Sequence, residues 1–355
     1  MANMNIRTPK FYTDTINFLM SIGTAQDDNF DVVSGGDLIT TYVTGSEAEL
    51  FDMKPMNQVT FNTTASAGIQ ADHVLITINK QTPNFKTDYI AILNHNMNSA
   101  DAKVRVGFAD ALTDVDDVDL ANADNVMANP SEVVNADTIS NSIVTPATDG
   151  STIFTFDATD EQFIGLQFEG TVSQSSSAAN DGSFDGTDNL KIGCIMIGEH
   201  YAMPNAPDLN VKRSIIYDGV NIQKSIGGNK YATASNLGRR YENSKNKSPF
   251  LLATYPSGVY GGRIAYDMKF SYLDSTNVMP SVWHDEHEIS DTVVSDVWNR
   301  TKGNMIPFIF SSDSTDTGNK SETSHIFARF AQDTLDMTQV APDVFNMSLK
   351  IEEEF

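Results

Sequence analysis

The chain has 355 residues and a formal net charge of -24, and 40% of its residues are hydrophobic. This length and apolar content suffice for two packed domains and exclude a disordered protein. Residues 1–200 carry 28 acidic and 8 basic side chains, and no Lys or Arg lies between Arg105 and Lys191. Because such a surface repels phosphate backbones, we exclude nucleic acid as a partner of the N-terminal half. The same charge would keep a highly repeated assembly in solution or attract cations.

Residues 1–7 lack the basic start and apolar core of a signal peptide. No apolar run approaches the roughly 18–20 residues that a membrane helix needs. We therefore expect a soluble protein that is made in a cytoplasm and does not insert into membranes. The one cysteine, Cys194, lies in the apolar run 192–197. This position predicts a small buried side chain and argues against a disulfide, a metal ligand or a catalytic thiol.

Residues 1–205 are rich in strand patterns, and we predict that they form an acidic β-sandwich of the jelly-roll type. Several segments alternate apolar and polar residues with a period of two, and Asn, Asp, Gly and Ser cluster between them as turn residues. The acidic or serine-rich segments 110–150 and 173–189 are predicted to be surface loops. The predicted strands are 68–78, 89–93, 104–108, 152–156, 163–168 and 191–197.

Pro204 and Pro207 mark a boundary, because two prolines in four residues interrupt regular structure. Residues 206–355 are predicted to form an α+β assembly domain. Apolar residues at helical spacing predict one amphipathic helix over about 287–301, ended by Gly303. The predicted strands are 222–228 and 230–234, joined by a hairpin tip at 227–230, then 266–272, 306–310 and a terminal strand over 345–352 with Met347, Leu349 and Ile351 on one face.

The best candidate for a cation site is the segment 181–189. Oxygen-bearing side chains recur there at alternate positions beside glycines, which suits a hard ion such as calcium. The position where a calcium loop has a bidentate Glu is occupied by Ile192, so an Asp-Gly surface loop is the alternative reading. The candidate ligands are Asp181, Ser183, Asp185 and Asp188.

Two histidine-containing segments are candidates for functional sites. His284 and His287 are three residues apart, which is not the spacing of a zinc-protease helix, so their carboxylate neighbours are better explained as helix N-terminal charges. Asn94, His95 and Asn96 could bind a ligand at the mouth of a sandwich, or could simply form a hydrogen-bonded turn. No serine-hydrolase elbow, phosphate loop or dinucleotide fingerprint is present. We therefore expect no enzymatic activity and no cofactor, although a glycosidase carboxylate pair stays open.

Short segments of the chain resemble virion proteins of tailed bacteriophages. The first region resembles a galactose-binding-like jelly roll, a module that recurs in such virions, and the second is similar in layout to tail-ring proteins of the distal-tail type. The segments that carry the first likeness are 88–96, 163–168 and 192–198. Those that carry the second are 268–273, the helix with Trp298, 307–310, 325–330 and 348–353.

This resemblance implies a structural subunit of a tail or baseplate ring. Its copies would join by head-to-tail contacts, and its jelly roll would face outward to dock fibres or contact the host surface. The implied partners are copies of the chain and other virion tail proteins, with a host-surface glycan as a further partner. The alternatives are a carbohydrate-binding module of a receptor-binding tail fibre and a capsid decoration protein.

Overall fold

The computed structural model describes residues 7–24, 29–34, 38–66, 73–81, 85–116, 120, 126–136, 138–140, 142–173, 182–184, 187–216, 220–234, 263–280, 291–313 and 324–354. In these residues the chain is mainly β, which confirms the predicted fold class. None of the described helices is long and apolar enough to cross a membrane. The helices are Thr15–Ser21, Ser275–Val278, the π-helix Val293–Asn299 and the 3-10 turns Glu47–Phe51, Thr63–Ser66 and Leu112–Asp114.

Two antiparallel sheets face each other and form the sandwich. The longer strands alternate between the two sheets along the chain, as a jelly roll requires. The first sheet has the order Thr138–Ser140, Ile143–Thr145, Ala102–Ala109, Phe163–Gly170, Val74–Asn79 and Phe30–Val32, with Val126–Met127 beside Ala102–Ala109. The second sheet has the order Cys194–Gly198, Thr87–His95, Gly150–Thr159 and Val133–Val134.

The second sheet is buried on both faces. Ile90 and Ile92 point into the core between the two sheets, where they pack among residues such as Leu166. Tyr89, Ala91 and Leu93 point the other way, into a second core that also holds Phe18, Ile309 and Phe327. Because both faces are covered, the strand Thr87–His95 is buried along its whole length, and its middle, residues 89–93, is apolar at every position rather than alternating.

A third sheet contains most of the described strands of the second region. Its core includes Phe270, Phe308 and Phe330, and the predicted face of Met347, Leu349 and Ile351 is confirmed as buried. The strand order is His200–Ala202, Lys10–Tyr12, Phe308–Ser311, His325–Phe330, Val344–Glu353, Arg263–Asp274 and Lys212–Ile216, with Met337–Ala341 beside Val344–Glu353.

Two strands from before residue 205 belong to this third sheet. Lys10–Tyr12 pairs with Phe308–Ser311 on one side and with His200–Ala202 on the other. The division into domains 1–205 and 206–355 stays a prediction. The strand Lys10–Tyr12 belongs to the first predicted domain by sequence but pairs with a strand of the second. The remaining described strands are Tyr42–Thr44, Val59–Phe61 and Lys191–Ile192 in one sheet, Val172–Ser173 with Gly182–Ser183, and Val220–Lys224 with Lys230–Ala234.

Three details of the predicted elements differ from the structure. The strand predicted over 191–197 is broken at Gly193, so that its two parts join different sheets. The predicted loop 110–150 contains four short strands, and Val133, Val134 and Val144 are buried. The helix predicted over about 287–301 is observed as a π-helix, Val293–Asn299, and residues 281–290 lie outside the described part.

Local hydrogen bonds explain where this π-helix begins and ends. The Thr292 hydroxyl accepts from the Ser295 N–H at 3.1 Å, and the Asp296 carboxylate accepts from the Thr292 N–H at 2.8 Å. This reciprocal cap satisfies two donors that a helix start leaves open. Gly303, at φ +70°, donates its N–H to Trp298 O at 2.9 Å, which confirms its predicted role as terminator.

Candidate functional site

His95 is a structural residue of the sandwich. Its Nε2 lies 2.8 Å from the Thr152 hydroxyl, and its Nδ1 accepts from the Met97 N–H at 3.2 Å, so we assign the proton to Nε2. Burial lowers the pKa of His95 to about 3, which keeps the ring neutral at ordinary pH. Both ring nitrogens are thus engaged within the fold.

The side chains of the two neighbouring asparagines also form hydrogen bonds within the fold. The Asn94 amide donates to Pro55 O at 2.8 Å, and the Asn96 amide donates to Asn189 O at 2.9 Å. Asn96 Oδ1 accepts from the Lys191 N–H at 2.6 Å. Of the two readings of this segment, the hydrogen-bonded turn is the one that the geometry favours.

The calcium prediction falls mostly outside the described residues. Asp181 and Asp185 are not described, and for Ser183 only the backbone is described, in a short strand. Asp188 is exposed. Among the described residues, no group of three or more His, Cys, Asp or Glu side chains could hold a metal ion. The predicted calcium loop therefore stays a prediction.

Cys194 lies in the second sheet, fully buried, which confirms the predicted buried side chain. Burial raises the pKa of its thiol well above the ordinary value, so the reactive thiolate is disfavoured. The segment with His284 and His287 lies outside the described residues, and its alternatives stay open.

A group of charged side chains lies between the second and third sheets, and no pattern in the sequence indicates it. Arg300 is 6% exposed, with its guanidinium carbon 4.2 Å from the centre of the Phe85 ring and 5.1 Å from that of Phe18. This is a cation–π arrangement in a dry environment. Burial raises the pKa of Asp296 to about 8, and repulsion from Glu199 adds to that rise. Burial also raises the pKa of Glu199 to about 7, and repulsion from Asp88 adds to it.

These raised pKa values predict that stability falls as the pH rises. Between about pH 4 and pH 8 the folded protein holds more protons on Asp296 and Glu199 than the unfolded chain does, so unfolding becomes easier through this window. We expect Asp296→Asn to flatten the decline of the melting temperature between pH 5 and pH 8.5. Exposed Asp333→Asn is the control. Parallel melting curves for Asp296→Asn and the unmodified protein would contradict this assignment.

A groove of about 450 Å³ opens beside the π-helix. The half-buried Trp298 ring packs against Phe330 at 5.1 Å between ring centres, and the Asn304 amide donates to Asp333 at 2.7 Å. An aromatic face next to amide and carboxylate groups is a combination that can hold a polar ring-shaped ligand. We call it the tryptophan groove; it is lined by Phe18, Trp298, Asn299, Lys302, Gly303, Asn304 and Asp333.

A second groove, of about 480 Å³, lies on the sandwich. Its floor is apolar, with Leu112 43% exposed, and two carboxylates, Asp31 and Glu47, stand at its side. The pKa of nearby Tyr42 is raised to about 12 by burial and then by these same two charges, which shows that both act on one region. We call it the acidic groove; it is lined by Phe30, Asp31, Glu47, Thr77, Asn79, Leu112 and Phe163.

A two-stranded hairpin projects from the second region, and we call residues 220–234 the hairpin arm. Val220–Lys224 pairs with Lys230–Ala234, which confirms the predicted hairpin, but the first strand ends at Lys224 and not at residue 228. Ile222 is 61% exposed, Ile226 109% and Tyr231 60%. Contiguous exposed apolar side chains of this kind often mark interaction sites, so the hairpin arm is a candidate contact surface. The sequence signal for it was the absence of acidic residues from 220–234 in a strongly acidic chain.

Comparisons with protein-family models, with curated proteins and with solved structures find no match for this chain. The surfaces described above therefore carry the functional evidence. The hairpin arm and the two grooves are the surface features of the described residues on which the functional proposals are based.

Proposed function

We propose that this chain is a structural subunit of a tailed-phage virion. In this proposal it is a distal-tail or baseplate ring component, joined to its copies by head-to-tail contacts. Its sandwich faces outward to dock fibres or to contact the host surface. The single observation that supports the proposal best is the hairpin arm, whose exposed Ile222, Ile226 and Tyr231 require cover.

An open sheet edge is a further exposed feature of the second region. Within the described residues, Lys212–Ile216 is the last strand of the third sheet and pairs on one side only. Ile215 on this strand is 61% exposed, and Leu209 before it is fully exposed. Unpaired strand edges with apolar side chains are templates for association. The second region thus offers two features that suit contact between subunits.

The tryptophan groove supports a second candidate, a carbohydrate-binding module of a tail fibre. Trp298 offers an aromatic face, and Asn299, Asn304 and Asp333 offer the polar groups that fix the orientation of a ligand. This groove lies next to the π-helix in the second region, whereas a glycan site of the jelly roll would lie in the first. Both candidates place the chain in a virion. They differ in whether copies of the chain join into a closed ring.

Purified particles of the phage that encodes the chain provide the test. We expect peptides of this chain in the particles, in a copy number that fits a tail ring, and density for its three sheets at the tail tip by cryo-electron microscopy. Absence of the chain from the particles would contradict the proposal. Presence only in fibres, with glycan binding that Trp298→Ala abolishes and Trp298→Phe retains, would favour the second candidate.

A further inference from the structure

The tip of the hairpin arm carries one apolar residue between two cations. Ile226 is fully exposed at the turn, and Lys224 and Lys230 lie directly opposite each other in the last pair of the ladder. Like charges in directly opposed positions destabilise a hairpin. The tip therefore has an apolar residue to cover and a repulsion that nearby carboxylates would relieve.

The acidic groove has the complementary composition. Its apolar floor includes Phe30, Leu112 and Phe163, and its two carboxylates, Asp31 and Glu47, match the two lysines in number. Phe30 is held by a ring contact with Phe51 at 4.1 Å between centres, so the floor is formed before any partner arrives. Preformed floors of this kind lower the ordering cost of binding.

We propose that the hairpin tip of one copy docks into the acidic groove of a neighbouring copy. Ile226 then covers the apolar floor, and Lys224 and Lys230 pair with Asp31 and Glu47. This inference rests on the proposed ring function and names the two surfaces that would form its contact. The occupant is a second copy because its tip carries two lysines and an exposed isoleucine, which complement the charge and the apolar floor of the groove.

The contact joins two different surfaces, so repetition leads around a ring or along a filament. One hairpin tip covers less than the roughly 1,200–2,000 Å² of a standard stable interface. An isolated pair of copies is therefore weak. Closure of a ring makes the last contact intramolecular and raises the stability of the whole. Assembly should consequently depend steeply on concentration, with few dimers between monomer and closed oligomer.

Charge reversal on each side tests this docking. Variant one carries Lys224→Glu and Lys230→Glu, and variant two carries Asp31→Lys and Glu47→Lys. We expect each variant alone to need at least about tenfold higher concentration to assemble, because like charges then meet at every contact. Mixed in equal amounts, the two variants should regain assembly as oligomers of alternating composition, since each tip then meets a groove of opposite charge.

Lys269→Glu with Lys350→Glu is the matched control, because it makes the same change in net charge at exposed positions of the third sheet away from the arm and the groove. Native mass spectrometry measures the composition of the oligomers, and melting curves verify that every variant folds. Unaltered assembly of variant one, or failure of the two variants to form mixed oligomers when the unmodified chain assembles, overturns the docking alone. A monomeric unmodified chain overturns the ring function and the docking together. Where variant two melts early, Asp31→Asn with Glu47→Gln replaces it, and unchanged assembly of that variant also overturns the docking.

Discussion

Replacing Gly193 with alanine is expected to destabilise the protein by more than about 3 kcal/mol. A Cβ atom at this position would lie 2.0 Å from the Pro55 carbonyl oxygen and 2.8 Å from that of Leu93. Both oxygens are held in place, because the Asn94 amide donates to Pro55 O and the Gly193 N–H donates to Leu93 O. Relief of the clash would break one of these bonds or shift the strand.

Urea unfolding of Gly193→Ala against the unmodified protein measures this cost. Gly227→Ala is the matched control, since the nearest atom to its Cβ would be the Ser225 hydroxyl at 3.9 Å. We expect the control to stay within about 0.5 kcal/mol of the unmodified protein. An equally small change in the free energy of unfolding of Gly193→Ala would contradict the close contact between residues 52–57 and the second sheet.

The buried pair of Arg105 and Glu169 is the second site of large effect. The two side chains are 4% and 1% exposed, and the Arg105 guanidinium donates to the Glu169 carboxylate. Lys103 also approaches Glu169, at 3.2 Å. Removing one partner leaves the other charge buried, so we expect Glu169→Met to cost about 3–5 kcal/mol. Arg105→Met together with Glu169→Met should cost much less than the sum of the two single changes.

A double-mutant cycle by chemical denaturation provides this measurement. The partly exposed pair of Arg329 and Glu354, 3.3 Å apart, serves as the comparison and should show a coupling below about 1 kcal/mol. Additive single effects at Arg105 and Glu169 would contradict a buried pair. The pair also explains the position of Arg105, the last cation before an acidic stretch that continues to Lys191.

The longer strands of the fold could be predicted from the sequence because a period of two is visible over five or more residues. The strand predicted at 152–156 is observed as Gly150–Thr159, and the terminal strand as Val344–Glu353. The strand Lys10–Tyr12 could not be found, because three residues carry no period and its partner lies about 300 positions away. The strands within 110–150 were missed for the same reason.

The candidate site was predictable only in part. The hairpin turn at 227–230 follows from its glycines, and Gly228 adopts the positive φ of 86° that such a turn needs. Its exposure does not follow, because apolar residues on alternate positions usually indicate a buried face. The acidic groove is lined by residues that lie far apart in the chain, so no local sequence pattern predicts it. The buried charges around Arg300 are hidden in the same way.

Native mass spectrometry of the purified, unmodified chain over a range of concentrations is the deciding experiment for assembly through the hairpin arm. We expect one closed oligomer of fixed stoichiometry, formed cooperatively from monomers and lost when residues 220–234 are replaced by a short Gly-Ser linker. A chain that stays monomeric at every accessible concentration, or one that assembles equally well without the hairpin arm, would contradict this expectation.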